Sequence, residues 1–222
     1  GSRSATAAVI VDASGERFIV SEDDREMPMS ADWLPLEEIA DAAVVLSDLS
    51  WLEGTRAAFV TARAAGVPTV VDVDLGSGGL LADVLPLTDY VIASAPAFER
   101  FITGTDTGER LAYLLATGAR HAGVTHGAGG YTFMTRTHGL LHQAAFPIAA
   151  LDTTGAGDAF HGSFAWALAE GLPDETCATM AAAAAALKCR RLGAREGLPT
   201  RTELEDFLAS EGSSPVPATS TS

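Results

Sequence analysis

The sequence of 222 residues lacks the motifs of several common enzyme classes. It has no G-x-x-x-x-G-K-[ST] run, no G-x-G-x-x-G run after a predicted strand and no G-x-S-x-G run. Their absence disfavours a P-loop enzyme, a dinucleotide-binding fold and an α/β-hydrolase. The five histidines are not spaced with cysteines or acidic residues as zinc ligands are, so we expect them in ordinary surface or turn positions.

Cysteine is scarce, and long hydrophobic runs are missing. Cys177 and Cys189 fall in one predicted helix, about 18 Å apart at 1.5 Å per residue, which is too far for a disulfide. The first residues do not read as a signal peptide, so we expect a reducing, cytoplasmic setting. No apolar run of about 18 residues is free of charges and helix breakers, so no membrane span or membrane partner is predicted.

Positive charge is also scarce. Lysine and arginine number 14 against 29 acidic residues, the net charge is −15, and Lys188 is the only lysine. This balance argues against nucleic acid or an anionic membrane as a partner. Any anionic ligand must therefore be held by local backbone N–H groups, arginine or a metal ion. Because 47% of the residues are hydrophobic, the chain can build one sizeable packed domain.

Short apolar strands alternate with helical segments through most of the chain. This alternation predicts an α/β fold with a doubly wound, mostly parallel sheet and helices on both faces. The predicted buried strands are residues 43–48, 68–74, 89–93 and 121–125. Polar residues, Asp48 and Thr125 among them, stand at strand ends, where ligands bind in such sheets.

The two ends of the chain differ from this alternating part. Two β-rich runs at 7–12 and 17–20 predict a hairpin, so we assign residues 1–34 to a β-hairpin unit and its connector. Residues 35–209 form the predicted α/β core. Residues 210–222 are rich in Ser, Thr and Pro, and we expect a disordered tail.

The most informative run is residues 152–160, which reads D-T-T-G-A-G-D-A-F. It predicts a glycine-rich turn that leads into a helix, where the unpaired N–H groups of Gly155, Ala156, Gly157 and Asp158 would hold an anion such as phosphate. Asp158 beside a bound phosphoryl group would take a proton from the attacking hydroxyl. A lone G-A-G-D would more simply be a turn with an ordinary first-turn acid, but the nine-residue run is far more specific.

A second glycine-rich turn follows the predicted strand 121–125. It comprises Thr125, His126 and the run G-A-G-G, which is Gly127, Ala128, Gly129 and Gly130. One interpretation is a tight connection to the next strand. The other is a backbone surface for the phosphates or ribose of a nucleotide, which the nearby run at 152–160 favours.

These two runs, with R-L-G-A at 191–194 and P-T-R at 199–201, resemble motifs of the ribokinase-like (PfkB) family of carbohydrate kinases. The resemblance spans about residues 5–209. The patterns at 45–51 and 89–94 are most similar to the branch that contains ketohexokinase and sulfofructose kinase. The resemblance implies a ribokinase-like fold, Mg²⁺ and ATP as cofactors, phosphorylation of a sugar hydroxyl, and a homodimer formed through a lid of which the N-terminal hairpin would be a remnant.

The resemblance also implies roles for single residues. Asp158 would be the general base, the turn of Gly155 to Gly157 would hold the transferred phosphoryl group, and Thr125, Gly127 and Gly129 would contact ATP. Asp48 aligns with an acid that touches the sugar in relatives. A strand-end cap is an equally good interpretation of Asp48.

A monovalent-cation site, for an ion such as K⁺, is a further implication of the resemblance. Asp152 and the carbonyl group of Thr154 would form this site. Carbonyl groups near Lys188 and Gly193 would complete it.

The sequence departs from the family pattern in three places. Ser94 and Ala97 stand where relatives carry the N-x-x-E motif that helps to position magnesium, so the metal would depend on other groups such as Glu99 or water. Ala182 replaces an asparagine that often approaches the nucleotide. The family's N-terminal portion, with the first strands and most sugar contacts, is absent, so we expect either a fragment or a natural truncation with an exposed sheet edge.

Two alternatives to a sugar kinase remain. One is a nucleotide-binding module without catalysis, because the chain is short or because the residues at 94 and 97 lost their metal role. The other is a family kinase that acts on a nucleoside or a vitamin, because most acceptor-reading residues would lie in the absent portion.

Overall fold

The structure is a computed structural model that describes residues 6–11, 17–22, 29–76 and 81–212. It divides into two compact units, Gly1–Trp33 and Leu34–Ser222. In the first unit, strands β1 (Thr6–Val11) and β2 (Arg17–Glu22) pair antiparallel, as the hairpin interpretation predicts. The connection between the two strands lies outside the described residues, and the proposed origin of this unit in a lid stays a prediction.

The second unit contains a six-stranded sheet whose strands follow one another in chain order. The first four strands pair parallel with one another. The fifth pairs antiparallel with the fourth, and the sixth pairs antiparallel with the fifth. The predicted mostly parallel sheet is confirmed. The strands are β3 (Val45–Ser47), β4 (Thr69–Val73), β5 (Tyr90–Ser94), β6 (His121–Thr125), β7 (Tyr131–Thr135) and β8 (Leu140–Gln143).

Helices connect the parallel strands and follow the sheet. They are α1 (Leu36–Ala40), α2 (Leu52–Ala65), α3 (Leu81–Val84), α4 (Ala95–Phe101), α5 (Thr107–Ala116), α6 (Ala156–Ala169), α7 (Asp174–Cys189) and α8 (Arg201–Ser210). Short 3₁₀ turns lie at Leu85–Leu87 and Gly127–Gly129.

Each central strand sends alternate side chains to opposite faces of the sheet. Val70 and Ile92 pack in one hydrophobic cluster with side chains of α6, α7 and α8. Val71 and Val91 pack in the other cluster, with side chains of α2, α3, α4 and α5. Each is the chain neighbour of Val70 or Ile92. The sheet is therefore covered by helices on both faces, which confirms the doubly wound prediction.

Two helix boundaries follow from local sequence. Helix α2 ends at Gly66, whose φ of 76° is left-handed and therefore favours glycine. Helix α8 begins with a capping box, in which Thr200 Oγ1 accepts from the Glu203 N–H and Glu203 accepts from the Thr200 N–H. This helix ends at Ser210, and residues 213–222 of the predicted tail lie outside the described residues.

The alanine-rich helix α7 is buried along most of its length. Cys177 and Cys189, near its two ends, do not form a disulfide, and both are buried. The alanines of α7 pack in one hydrophobic cluster with side chains of α6. Within the described ranges, none of the helices combines the length and the apolarity that crossing a membrane requires.

Because β3, β4, β5 and β6 are parallel, their carboxyl ends lie at the same edge of the sheet. Asp48, Asp74 and the turn after Thr125 follow directly at this edge. The fold therefore collects at one edge the polar residues that the sequence places far apart.

Candidate active site

Helix α6 begins at a sharply turned glycine. Gly155 is the N-cap residue, with φ of 78°. A Cβ added there would lie 3.1 Å from the Cβ of Ala194, in the loop after α7. Glycine is therefore needed at 155 both for the left-handed backbone and for the close approach of that loop.

The first N–H groups of α6 project from its N-terminal end, where they have no partner within the helix. The Ala156 N–H donates to the Thr153 carbonyl at 3.1 Å. The N–H groups of Gly157 and Asp158 have no hydrogen-bond partner within the described part of the chain, and a Cβ at Gly157 would enter open space. Of the predicted donors at residues 155–158, Ala156 is engaged by this bond, whereas Gly157 and Asp158 are open at a helix end that favours an anion.

Asp158 lies in the first turn of α6 and its side chain is exposed. One turn further along, His161 is only 4% exposed. Its Nδ1 lies 2.8 Å from the Gly157 carbonyl oxygen and 3.2 Å from Asp72 Oδ2. Because both partners can accept, Nδ1 is assigned as the protonated nitrogen, and this imidazole ties the first turn of α6 to the end of β4.

Four carboxylates share this edge of the sheet. Burial raises the pKa of Asp72 to about 6, although the neighbouring His161 lowers it. The charges of Asp74, Asp158 and Asp48 raise the pKa further. Residues from β4, from the loop after β3 and from α6 therefore interact electrostatically around the start of α6.

The predicted surface or turn position is wrong for two of the five histidines. His161 is buried at the site, and His121 is fully buried in the sheet, where Nε2 lies 2.6 Å from the Tyr131 hydroxyl oxygen. The spacing of Asp158 and His161 could have predicted that they share one face of the helix. The contact with Asp72 could not be predicted, because it depends on how α6 packs against the sheet.

The turn after β6 is closed by its own backbone. The His126 N–H donates to the Gly130 carbonyl at 2.8 Å, and the Gly129 N–H donates to the His126 carbonyl at 2.9 Å. Residues 126–129 are exposed. Gly130 has φ of 88°, and a Cβ there would lie 2.4 Å from the Gln143 carbonyl oxygen, so the tight connection to β7 and β8 needs glycine.

This turn lies close to the start of α6. Tyr131 follows it directly, and its ring centroid lies 4.8 Å from that of Phe160 in the first turns of α6. Glu99, Arg110 and His126 line a pocket beside the same turn. The two glycine-rich runs that the sequence singles out are therefore neighbours in the fold.

A family model described as pfkB family carbohydrate kinase matches residues 1–201. The chain belongs to this family. A solved structure from Agrobacterium tumefaciens, provisionally named a ribokinase, is 33% identical with a TM-score of 0.85 and is covered to 70% by 95% of this chain. The structure of Arabidopsis thaliana ribokinase complexed with ribose and ATP is 25% identical with a TM-score of 0.78, with 91% of this chain covering 68% of it.

Curated relatives show the same kinship over a shorter share of their length. Ribokinase of Arabidopsis thaliana is 29% identical over 215 residues, which are 91% of this chain and 56% of the relative. The chain spans about half the length of the curated relatives of this kind. The named relatives are ribokinases, so the narrower ketohexokinase-like branch stays a prediction.

Asp48 is exposed in the loop after β3. Its Oδ1 accepts from the Ser50 N–H at 3.1 Å and from the Ser50 hydroxyl at 2.7 Å. This is the geometry of a strand-end turn, while the charge of Asp48 also acts on Asp72. Both interpretations of Asp48, as a cap and as a sugar contact, fit this arrangement.

Ser94 and Ala97, where family members carry N-x-x-E, do not offer a replacement metal site. Ser94 Oγ donates to Asp74 Oδ1 at 2.8 Å, and Ala97 is fully buried in the core. Ala182, at the position of the expected asparagine, is buried in α7. Among the described residues there is no group of three or more His, Cys, Asp or Glu side chains that could hold a metal ion.

The predicted monovalent-cation site contains a buried ammonium group. Lys188 Nζ donates to the Asp152 carbonyl oxygen at 2.8 Å and lies 3.6 Å from Asp152 Oδ2. Asp152 Oδ1 accepts from the Thr154 N–H at 2.9 Å, and Oδ2 accepts from the Gly193 N–H at 2.9 Å. These hydrogen bonds hold the pKa of Asp152 well below its ordinary value, and the bonds to Thr154 have the largest effect. The charge of Lys188 lowers the pKa further.

Proposed function

We propose that this chain carries the phosphoryl-transfer half of an ATP-dependent kinase that phosphorylates a hydroxyl group of a sugar. The observation that supports this most strongly is the start of α6, where the open N–H groups of Gly157 and Asp158 lie beside the exposed carboxylate of Asp158. A carboxylate at an anion site opposes binding alone, but it suits a reaction in which a hydroxyl must lose a proton.

In the proposed reaction, the Asp158 carboxylate takes the proton of the sugar hydroxyl as its oxygen attacks the γ-phosphorus. The bond from that phosphorus to the leaving oxygen breaks, and ADP departs. The N–H groups of Gly157 and Asp158, with the turn of Gly155 and Ala156 behind them, would stabilise the charge on the transferred group. Such backbone donors are fixed before the reaction and need no reorganisation.

The turn of Thr125 to Gly130 is the proposed nucleotide surface, with Thr125, Gly127, Ala128 and Gly129 nearest to ATP and Gly130 shaping the turn. Its exposure and its closeness to Phe160 support this role. The Arabidopsis relative of similar fold binds ribose and ATP. Because a three-residue metal cluster is lacking in the described ranges, Mg²⁺ would arrive on the ATP phosphates and keep several waters.

The proposed acceptor is a ketose or a related carbohydrate, with Asp48 and Asp158 facing it. The kinship with ribokinases makes ribose the main competitor. We also propose a homodimer formed through the N-terminal unit. We propose a cytoplasmic setting, which two cysteines without a disulfide fit.

The proposal is tested by ADP release from ATP and Mg²⁺ across a panel that includes fructose, ribose, other pentoses and hexoses, and a nucleoside. Sugar-dependent ADP release supports the proposal, and the preferred sugar identifies the acceptor. Turnover only with the nucleoside would replace the sugar by a different acceptor class.

A second candidate is a nucleotide-binding module without catalysis. Calorimetry of ATP binding, compared with turnover, distinguishes this module from the kinase. The core position of Ala97, where family members carry a glutamate, favours this candidate. Binding of ATP without turnover on any member of the panel would favour the module over the kinase. Failure to bind ATP would contradict both.

A further inference from the structure

We propose that the ammonium group of Lys188 takes the place of a bound monovalent cation beside the anion-hole turn, so that this chain needs no K⁺ there. The inference deepens the proposed function, on which its catalytic consequence rests. It departs from the expectation that Asp152 and Thr154 hold an ion.

The burial of Lys188 is the first observation. Its side chain is fully buried, while that of Asp152 is 18% exposed. Lysine is almost never fully buried unless its charge is paired, because removal from water destabilises the charged form strongly. The Asp152 carbonyl oxygen at 2.8 Å and carboxylate oxygen at 3.6 Å supply this pairing. The only lysine of the chain thus lies at the predicted cation site.

Several of the surrounding oxygen atoms already accept hydrogen bonds from protein groups. Both carboxylate oxygens of Asp152 accept backbone N–H groups, as described above. The Cys189 carbonyl accepts from the Leu151 N–H at 2.7 Å, and the Gly193 carbonyl accepts from the Gly197 N–H at 3.1 Å. An added cation would have to share these oxygens with the N–H groups and would face the repulsion of the ammonium group.

The lysine stem is enclosed by backbone. A Cβ added at Gly197 would lie 3.1 Å from Lys188 Cε, 3.0 Å from the Lys188 carbonyl oxygen and 2.8 Å from the Gly193 carbonyl oxygen. Gly197 therefore packs directly against the stem. The residues of the predicted cation site therefore do not fit a bound ion in addition to Lys188. They do fit the ammonium group at the end of the lysine side chain.

Asp152 connects this ammonium group to the anion hole. The Thr154 N–H is bound by the Asp152 carboxylate, and the Thr153 carbonyl accepts the Ala156 N–H at 3.1 Å. The turn that presents Gly157 is thus built on Asp152, and Lys188 acts as a positioning residue rather than a catalytic one. A cation supplied by the chain would hold this turn at any salt composition.

The test compares the wild-type chain, Lys188→Ala and Lys188→Met by thermal unfolding in potassium chloride and in tetramethylammonium chloride at equal concentration. Lys188→Ala leaves an empty, negatively polarised space, whereas Lys188→Met fills the same space without a charge. We expect the wild-type melting temperature to be the same in both salts. Lys188→Ala should be stabilised specifically by K⁺, and Lys188→Met should not respond.

The proposal is overturned if K⁺ stabilises the wild-type chain as much as Lys188→Ala, or if folded Lys188→Ala shows no K⁺ response. Should Lys188→Ala fail to fold in the tetramethylammonium salt, recovery of folded protein in potassium chloride supports the proposal, and failure in both salts contradicts it. These readouts need no turnover, so an inactive wild-type chain would contradict the kinase proposal without affecting this one. Where the kinase is active, K⁺ should restore kcat in Lys188→Ala and leave the wild-type kcat unchanged.

Discussion

His161 Nδ1 lies 3.2 Å from Asp72 Oδ2, and through this contact helix α6 is joined to the end of strand β4 beneath the candidate anion hole. The same nitrogen lies 2.8 Å from the carbonyl oxygen of Gly157. The imidazole thus contacts both the sheet and the turn that would hold the transferred phosphoryl group. Asp72 in turn lies within electrostatic reach of Asp48, Asp74 and Asp158.

This pair predicts a pH-dependent stability. The pKa of Asp72 is about 6 in the folded chain against 3.8 for an ordinary aspartate, so the folded state binds the proton more tightly. Stability from this group is therefore fully present below pH 4 and is lost as pH rises to 6, by at most about 3 kcal/mol at 1.36 kcal/mol per pKa unit. Asp72→Asn cannot titrate, so its stability relative to wild type should rise across this window.

Urea denaturation at several pH values between 4 and 7 measures this difference. Asp206→Asn, which removes one negative charge from the exposed side of α8, is the matched control. A difference between Asp72→Asn and wild type that does not change with pH would show that the buried carboxylate is not stabilised in its protonated form.

The open space at Gly157 predicts a loss of function without a loss of stability. In Gly157→Ala the new methyl group enters open space on the residue that carries one of the open N–H groups. We expect it to crowd a bound phosphoryl group, so phosphoryl transfer should fall by at least tenfold while the fold persists. Gly162→Ala, in the same helix and also facing open space, is the control and should gain about 1 kcal/mol of stability from helix propensity. Equal ADP-release rates for the two variants would place the phosphoryl group elsewhere.

Gly155 predicts a different effect, since both its backbone and its surroundings need glycine. Gly155→Ala should destabilise the chain by more than about 1 kcal/mol, because φ is 78° and the new Cβ would lie 3.1 Å from Ala194. Gly66→Ala is the matched control, with φ of 76° but nothing within 4 Å of the new Cβ. Thermal unfolding should show the larger loss at 155, and an equal loss at both positions would mean that the Ala194 loop yields without cost.

The sequence pattern predicted the sheet and the two glycine-rich turns because these are local features. Strand alternation, the capping box at Thr200 and the start of α6 near Gly155 all depend on neighbours within a few residues. The strand and helix bounds agree within a few residues, as hydrogen bonds at element ends commonly fray.

The contacts that complete the site could not be predicted, because they depend on packing between distant segments. Asp72 and His161 are far apart in the chain and meet only once α6 lies on the sheet. Lys188 occurs in an alanine-rich helix, where a surface position would be the ordinary expectation. The family resemblance places the backbone near Lys188 beside Asp152, but no local pattern in the sequence shows that the ammonium group itself is buried against Asp152.

Asp158→Asn tests the central claim most directly, with Asp206→Asn as a control that makes the same chemical change at an exposed helix position. The measurement is the rate of sugar-dependent ADP release, with ATP binding followed by calorimetry. We predict that Asp158→Asn binds ATP but loses at least about 10²-fold in kcat, because an amide cannot take the hydroxyl proton, while the control keeps the wild-type rate. A wild-type rate in Asp158→Asn would contradict the assignment of Asp158 as the general base.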